Sequence, residues 1–172
     1  MRIVGGKFAG RHLSPLNDSR VRPTAELVRV ALMDLLAADI KDARVVDLFA
    51  GTGALGLEAL SRGAKYADFV ETRPSSLHAL KANVALLGVR TKVRIFKRDA
   101  LPWAAELGKH SYDVAFVDPP YGSKMLDRVI DSWYKERFSR VLAVESERGH
   151  ELPKGERRIV FEESVVTVYR TG

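Results

Sequence analysis

The sequence predicts an α/β fold: a mostly parallel sheet of seven strands with helices on both faces, an antiparallel hairpin at the C-terminus and a short β-hairpin at the N-terminus. Three observations carry this. From Arg44 to Glu145, short apolar runs alternate with helical segments, which implies right-handed βαβ units and a sheet covered on both faces. The tail carries two β-branched runs, Arg157–Phe161 and Val165–Tyr169, joined by Glu162-Glu163-Ser164, a hairpin pattern. Residues 2–13 read as two short strands around Gly5-Gly6 and Gly10, where Gly-Gly is a turn signal.

The elements follow in order. Residues 14–23 carry Ser14, Pro15, Asn17, Asp18, Ser19 and Pro23 and read as loop. Thr24 is placed to cap a helix over about Ala25–Ala38, with Leu27, Val30, Ala31, Leu35 and Leu36 as its apolar stripe. Then come strand Arg44–Phe49, helix Ala54–Arg62, strand Ala67–Glu71, helix Pro74–Leu87, strand Lys92–Lys97 and a short helix over 101–107. Strand Tyr112–Val117, helix Lys124–Phe138 and strand Arg140–Glu145 complete the alternation. One domain over residues 1–172 is expected, with 1–24 a basic extension and 25–172 the core.

Composition narrows the classes of function. At 46% apolar and 29% charged residues, the chain has material for one core. It contains no cysteine, so disulfides and thiolate metal sites are excluded, and no metal is expected. No apolar run reaches the roughly 18 residues that span a bilayer, and the N-terminus lacks the apolar stretch of a secretory signal. A cytoplasmic protein without a membrane partner is expected. The net charge of +6 favours polyanions. Within residues 1–30, Arg2, Lys7, Arg11, His12, Arg20, Arg22 and Arg29 face only Asp18 and Glu26, an electrostatic footprint for nucleic acid.

The residues that carry chemistry lie at strand ends. Gly51, Gly53 and Gly56 make a GxGxxG pattern between a strand and a helix, which lets a ligand approach the backbone closely. Alone the pattern is weak: a dinucleotide site must be considered beside it, and a turn made for packing is the lesser alternative. Asp47, at the end of the first strand, would repel a pyrophosphate. It suits S-adenosyl-L-methionine, which has no phosphate and carries an ammonium and a sulfonium. Glu71 ends the second strand and can accept from both hydroxyls of a ribose, a feature that both cofactors share. Asp99 can accept from an adenine amine, or else cap the helix that follows it. Asp118-Pro119-Pro120-Tyr121 follows the fourth strand. Its prolines fix φ and remove donors, leaving a rigid loop of acceptors that matches the two N–H donors of a base amine. Tyr121 offers a face for stacking.

Together these motifs resemble the Rossmann-like S-adenosylmethionine-dependent amino-methyltransferases. More narrowly, Ile3-Val4-Gly5-Gly6 with Gly10-Arg11, Arg22-Pro23-Thr24, Asp47 to Gly53, Glu58 to Ala64 and the Asp-Pro-Pro-Tyr loop resemble the bacterial 16S rRNA guanine-N2 methyltransferase family. The resemblance covers nearly the whole chain, apart from about 148–158. It implies the seven-stranded methyltransferase sheet, S-adenosylmethionine as cofactor and methyl transfer to a guanine of small-subunit rRNA, free or within the ribosomal particle, by a monomer. It further implies a cofactor site of Asp47, Phe49, Ala50, Gly51, Thr52, Gly53, Glu71, Thr72, Asp99 and Ala100. Asp118, Pro119, Pro120 and Tyr121 would hold the base, and Arg2, Lys7, Arg11, Arg20, Arg22 and Thr24 would touch RNA. A DNA adenine-N6 methyltransferase, a non-catalytic RNA-binding module and a nicotinamide-dependent oxidoreductase are the alternatives; the chain lacks an insertion large enough for a separate DNA-recognition domain.

Overall fold

The computed structural model describes residues 1–16 and 25–172. Its elements are α1 (Glu26–Leu35), α2 (Ala37–Ile40), β1 (Arg44–Asp47), α3 (Ala54–Ser61), β2 (Tyr66–Val70), α4 (Pro74–Leu87), β3 (Val93–Phe96), α5 (Ala100–Ala105), β4 (Tyr112–Val117), α6 (Met125–Glu136), β5 (Ser139–Glu147), β6 (Arg157–Val160) and β7 (Ser164–Arg170). They form the expected sheet, a seven-stranded one in the order β3-β2-β1-β4-β5-β7-β6. The first five strands pair in parallel, and β7 runs antiparallel to both β5 and β6.

This order places the site. From β1 the chain moves outward to β2 and β3, then returns to the other side of β1 for β4. Such a reversal opens a crevice at the carboxyl ends of the two central strands. Asp47 ends β1, opposite Phe69 of β2 and Phe116 of β4. Val114 to Val117 of β4 are buried, so the first polar side chain after that strand is Asp118.

Each face of the sheet has its own apolar layer. One unites Leu32 and Met33 of α1, Leu57 of α3 and Leu80 of α4 with Ile3 and Leu13 near the N-terminus. The other is built on Trp103 of α5 and on Leu126, Val129, Ile130 and Trp133 of α6, the spacing of one helical face. Trp133 donates its indole N–H to the Ser139 carbonyl (2.9 Å), which joins α6 to the start of β5.

Two expectations are corrected. The helix predicted over 25–38 breaks at Leu36 (φ −99°, ψ 13°) into α1 and α2. Its buried face is Val28, Arg29, Leu32 and Met33, while Leu27 is 70% exposed. The periodicity was helical, but the stripe is rotated by one residue. The cause is Arg29, which goes inside to meet Glu58 (3.5 Å) and donates to the Arg2 carbonyl. Thr24, expected as the cap, lies outside the described residues; Ala25 stands at the N-cap position.

The N-terminal hairpin is reduced to a single antiparallel bridge, Arg2 with His12. Hydrogen bonds Ile3 N–H to Arg11 O and Leu13 N–H to Met1 O (both 2.9 Å) support it. No longer ladder forms because the donors between are spent on α3. Val4 and Gly5 donate to the Glu58 carboxylate (3.0 and 2.9 Å), Lys7 to the Ser61 carbonyl (2.8 Å) and Phe8 to the Ser61 hydroxyl (2.9 Å). The segment is therefore an arm docked on α3.

Candidate functional site

A cavity of about 650 Å³ opens at the carboxyl ends of β1, β2 and β4. Its wall includes Asp47, Phe49, Ala50, Gly51 and Thr52 after β1, Glu71 and Thr72 after β2, Asp99 and Ala100 at the start of α5, and all four residues Asp118, Pro119, Pro120 and Tyr121 after β4. The structure thus gathers the predicted cofactor and base residues around one space. Gly53 alone of that set lies off the wall.

The glycines divide the work. Gly51 (φ +55°) and Gly53 (φ +84°) adopt the left-handed backbone that a side chain resists. A Cβ on Gly51 would meet nothing within 4 Å, whereas one on Gly53 would come within 2.4 Å of Leu80 and one on Gly56 within 2.4 Å of Phe69. Gly51 therefore leaves room towards the cavity, and the other two let α3 sit close to β2 and α4. The loop is tied to β2 by the Ala50 N–H to Val70 O (3.1 Å) and the Gly51 N–H to Glu71 Oε1 (3.1 Å).

Four carboxylates face this space, and the three expected to hold the cofactor have different duties. Asp47 is buried; its Oδ2 accepts from the Gly56 N–H (3.2 Å), and its Oδ1 has no hydrogen-bond partner among the described residues. Burial, and after it the neighbouring Glu71 charge, push its carboxyl up to about 7, opposed by the Gly56 and Phe49 N–H groups. Glu71 Oε2 accepts from the Thr72 N–H (2.8 Å) and from the Arg73 N–H at a longer 3.4 Å. With one further bond at Oε1, its carboxylate keeps acceptor capacity, chiefly at Oε1, for a hydroxyl. Asp99 stands at the N-cap position of α5, yet its side chain makes no cap hydrogen bond. The capping alternative therefore does not account for it.

A buried carboxylate oxygen without a partner is costly, and a donor or cation from a ligand would relieve it. The glycine-loop side of the wall offers acceptors, and the Gly51 N–H that would greet a phosphate is already given to Glu71; the cations in the wall are Arg73 and Arg98, the latter paired with Glu106. These residues fit S-adenosylmethionine, with its ammonium, sulfonium, ribose hydroxyls and adenine amine. A pyrophosphate at the glycine loop would lie against the Asp47 and Glu71 carboxylates.

The loop after β4 is stiffened at its far end. Gly122 has φ +75°, and the Ser123 hydroxyl donates to the Pro120 carbonyl (2.8 Å). The N-cap position of α6 is Lys124, so Asp118 does not cap that helix. Tyr121 is 38% exposed beside the cavity.

Of the residues expected to touch RNA, Arg2, Lys7 and Arg11 are not among those that line the cavity. Arg2 pairs with Glu26 (3.2 Å), Arg11 donates to the Leu86 carbonyl (2.8 Å), and the Lys7 ammonium stands 5.5 Å from the Phe8 ring centroid. Arg20, Arg22 and Thr24 lie outside the described residues. The sequence expectations did not include part of the wall, among it Arg73, Arg98, Leu101, Pro102 and Met125, and also Met1, Pro15 and Leu16 of the arm. The first five follow strand ends and were within reach of the crevice rule; nothing local marked the last three.

No helix among the described residues is long and apolar enough to cross a membrane. The pattern of a family described as conserved hypothetical protein 95 matches residues 1–163. Ribosomal RNA small subunit methyltransferase D of Escherichia coli K12 is 36% identical over 158 residues, 89% of this chain and 78% of that protein. The solved structure of a hypothetical protein from Thermus thermophilus superposes with a TM-score of 0.84 at 31% identity, covering 99% of each chain. An RNA methyltransferase of Salinibacter ruber, solved with S-adenosyl-L-homocysteine, shares the fold at a TM-score of 0.68 and 16% identity, over 87% of this chain and 93% of that one.

Proposed function

The chain belongs to the conserved hypothetical protein 95 family, and from that premise we propose that it methylates the exocyclic N2 amine of a guanine in 16S rRNA of the small ribosomal subunit. It is an S-adenosylmethionine-dependent methyltransferase of ribosomal RNA; its relatives are named ribosomal RNA small subunit methyltransferase D. The observation that carries the base-amine reading is the acceptor loop of Asp118 and Pro119, opening onto the same cavity as the Asp47 carboxylate; guanine as the base follows the family resemblance.

When bound, S-adenosylmethionine supplies an electrophilic methyl group on a sulfonium. Asp47 meets the cationic end of the cofactor, Glu71 its ribose and Asp99 its adenine amine. Phe49, Ala50, Gly51, Thr52, Thr72 and Ala100 form the surrounding wall, and Gly53 shapes the loop behind it.

The N2 lone pair of guanine is delocalised into the ring, so the amine is a weak nucleophile. Asp118 and the Pro119 carbonyl accept its two N–H groups and turn the lone pair towards the methyl donor, an entropic gain. Positive charge then grows on nitrogen, and the Asp118 carboxylate stabilises it. Asp118 is also the group placed to take the proton. Pro120 holds the loop rigid, and Tyr121 stacks on the base. Arg2, Lys7 and Arg11, with Arg20, Arg22 and Thr24, meet RNA phosphates, and the substrate assigns the protein to the cytoplasm. The test is methyl-labelled cofactor on small ribosomal subunits and on naked 16S rRNA, followed by nucleoside mass analysis. Label in N2-methylguanosine is expected; label in adenosine, or none in either substrate, overturns the reading.

A further inference from the structure

Asn83 is a buried polar residue in the interior of α4, a position where asparagine is a poor helix former. Its amide joins two segments that are remote in sequence. The carbonyl oxygen accepts the Ser14 N–H (2.6 Å), and the amide nitrogen donates to the Ser14 carbonyl (3.2 Å) and to the Thr52 carbonyl (3.0 Å). Both N–H donors and the carbonyl oxygen are thus engaged, three of the four hydrogen bonds that a primary amide can make. Aspartate keeps the acceptor and loses both donors; leucine loses all three. The two partners border the cavity. Thr52 is in its wall, and Pro15 and Leu16, directly after Ser14, are in it too. Pro15 has its φ fixed by its ring, so the path set at Ser14 carries on to Leu16.

We propose that Asn83 is a positioning residue for the cofactor: it clamps the arm at Ser14 to the glycine loop at Thr52, and so makes Pro15 and Leu16 part of the cofactor's wall. The inference rests on the S-adenosylmethionine reading of the cavity. It extends the site to a segment that holds no catalytic group and to a helix that does not touch the cavity through this residue.

Calorimetric titration of the full chain with S-adenosyl-L-homocysteine tests it, using wild type, Asn83→Asp, Ser14→Pro, Leu16→Ala and the Asn83→Asp/Leu16→Ala double variant. Asn83→Asp is expected to weaken binding by about tenfold, within the range of coupled contacts. Ser14→Pro, which deletes the arm's donor at an exposed position, should weaken it similarly. Leu16→Ala should cost roughly threefold in the wild-type background and nothing further in the Asn83→Asp background, since the arm is then no longer held at the wall. In turnover, the cofactor KM should rise while kcat at saturation falls less. If the two losses simply multiply, or if affinity is unchanged in both Asn83→Asp and Ser14→Pro, the clamp is wrong and Asn83 serves folding alone. If Asn83→Asp does not fold, the same cycle run with Ser14→Pro and Leu16→Ala decides. Wild type that fails to bind S-adenosylhomocysteine sinks the cofactor reading itself, a result distinct from the others.

Discussion

Asp47 shows how a single carboxylate can record the ligand it was built for. Its side chain is buried, one oxygen lacks a partner, and its carboxyl is pushed up to about 7, first by burial and then by Glu71. The empty native protein therefore holds this proton more tightly than the unfolded chain, whose aspartates titrate near about 4. The group's contribution to stability is full below that value and is lost as pH rises through about 7. A cationic ligand has the opposite preference, because it binds the charged form. Affinity for S-adenosylhomocysteine should fall by up to about tenfold per pH unit below 7 and level off above it. Asp47→Asn should bind weakly with no such slope; calorimetry across this pH range decides, and equal slopes in both proteins remove Asp47 from the site. Asp118 calls for a different readout, because the charge it meets exists only along the reaction path and so appears in the rate. Asp118→Ala should slow the single-turnover rate by roughly two to three decades and leave S-adenosylhomocysteine affinity little changed. Asp118→Asn should retain more activity, since an amide oxygen still accepts from the base amine. Lys124 stands at the N-cap position of α6, so a lost helix cap is not the expected cause of the slower rate, and single-turnover rates and thermal midpoints measured side by side check this.

At the scale of elements, the strands and most helices were legible because β-branched runs and helical spacing are local properties. Tyr112–Val117 appears as β4 and Pro74–Leu87 as α4 with the predicted bounds. The errors lie where a side chain from a distant element claims the backbone. Glu58 accepts from Val4 and Gly5 of the arm, from the Arg62 guanidinium (3.0 Å) and lies 3.5 Å from Arg29. It therefore shortens the N-terminal ladder and rotates the buried face of α1. Burial lowers the pKa of Arg29, and Glu58 keeps its guanidinium charged. Glu58 was visible in sequence as part of the Glu58 to Ala64 run, but its partners were not. Removing one charge of a buried pair costs far more than the pair's net worth. Glu58→Gln should lower the stability measured by urea unfolding by roughly 3–5 kcal/mol. Glu106→Gln, which breaks the surface pair with Arg98, should leave the midpoint in place. A Glu58→Gln protein as stable as wild type would show that Arg29 finds its compensation elsewhere.

Across the whole molecule, charge is sorted by place. The chain carries a net +6, while the cavity at the topological switch sets Asp47, Glu71, Asp99 and Asp118 against Arg73 and Arg98. The surface field draws a polyanion towards the protein, and the acids admit a cationic cofactor but resist a phosphate. Motif spacing made those acids legible. The arm's share of the wall was not legible, because Met1, Pro15 and Leu16 reach it through tertiary contacts alone. This separation predicts how the two ligands respond to different probes. S-adenosylhomocysteine at 100-fold excess over its Kd adds about 2.7 kcal/mol to the native state. In a domain of this size each kcal/mol moves Tm by roughly 2–4 °C, so the melting midpoint should rise by about 5–10 °C. NAD at the same concentration should leave it in place, since its pyrophosphate would sit against Asp47 and Glu71. RNA affinity should drop steeply as salt is raised, following the release of counterions from its phosphates. The S-adenosylhomocysteine shift should persist through the same salt range, because the contact it makes with Asp47 is shielded from solvent. Thermal melts with each ligand, at low and high salt, separate the cases. A midpoint raised equally by NAD ends the argument from the acidic wall.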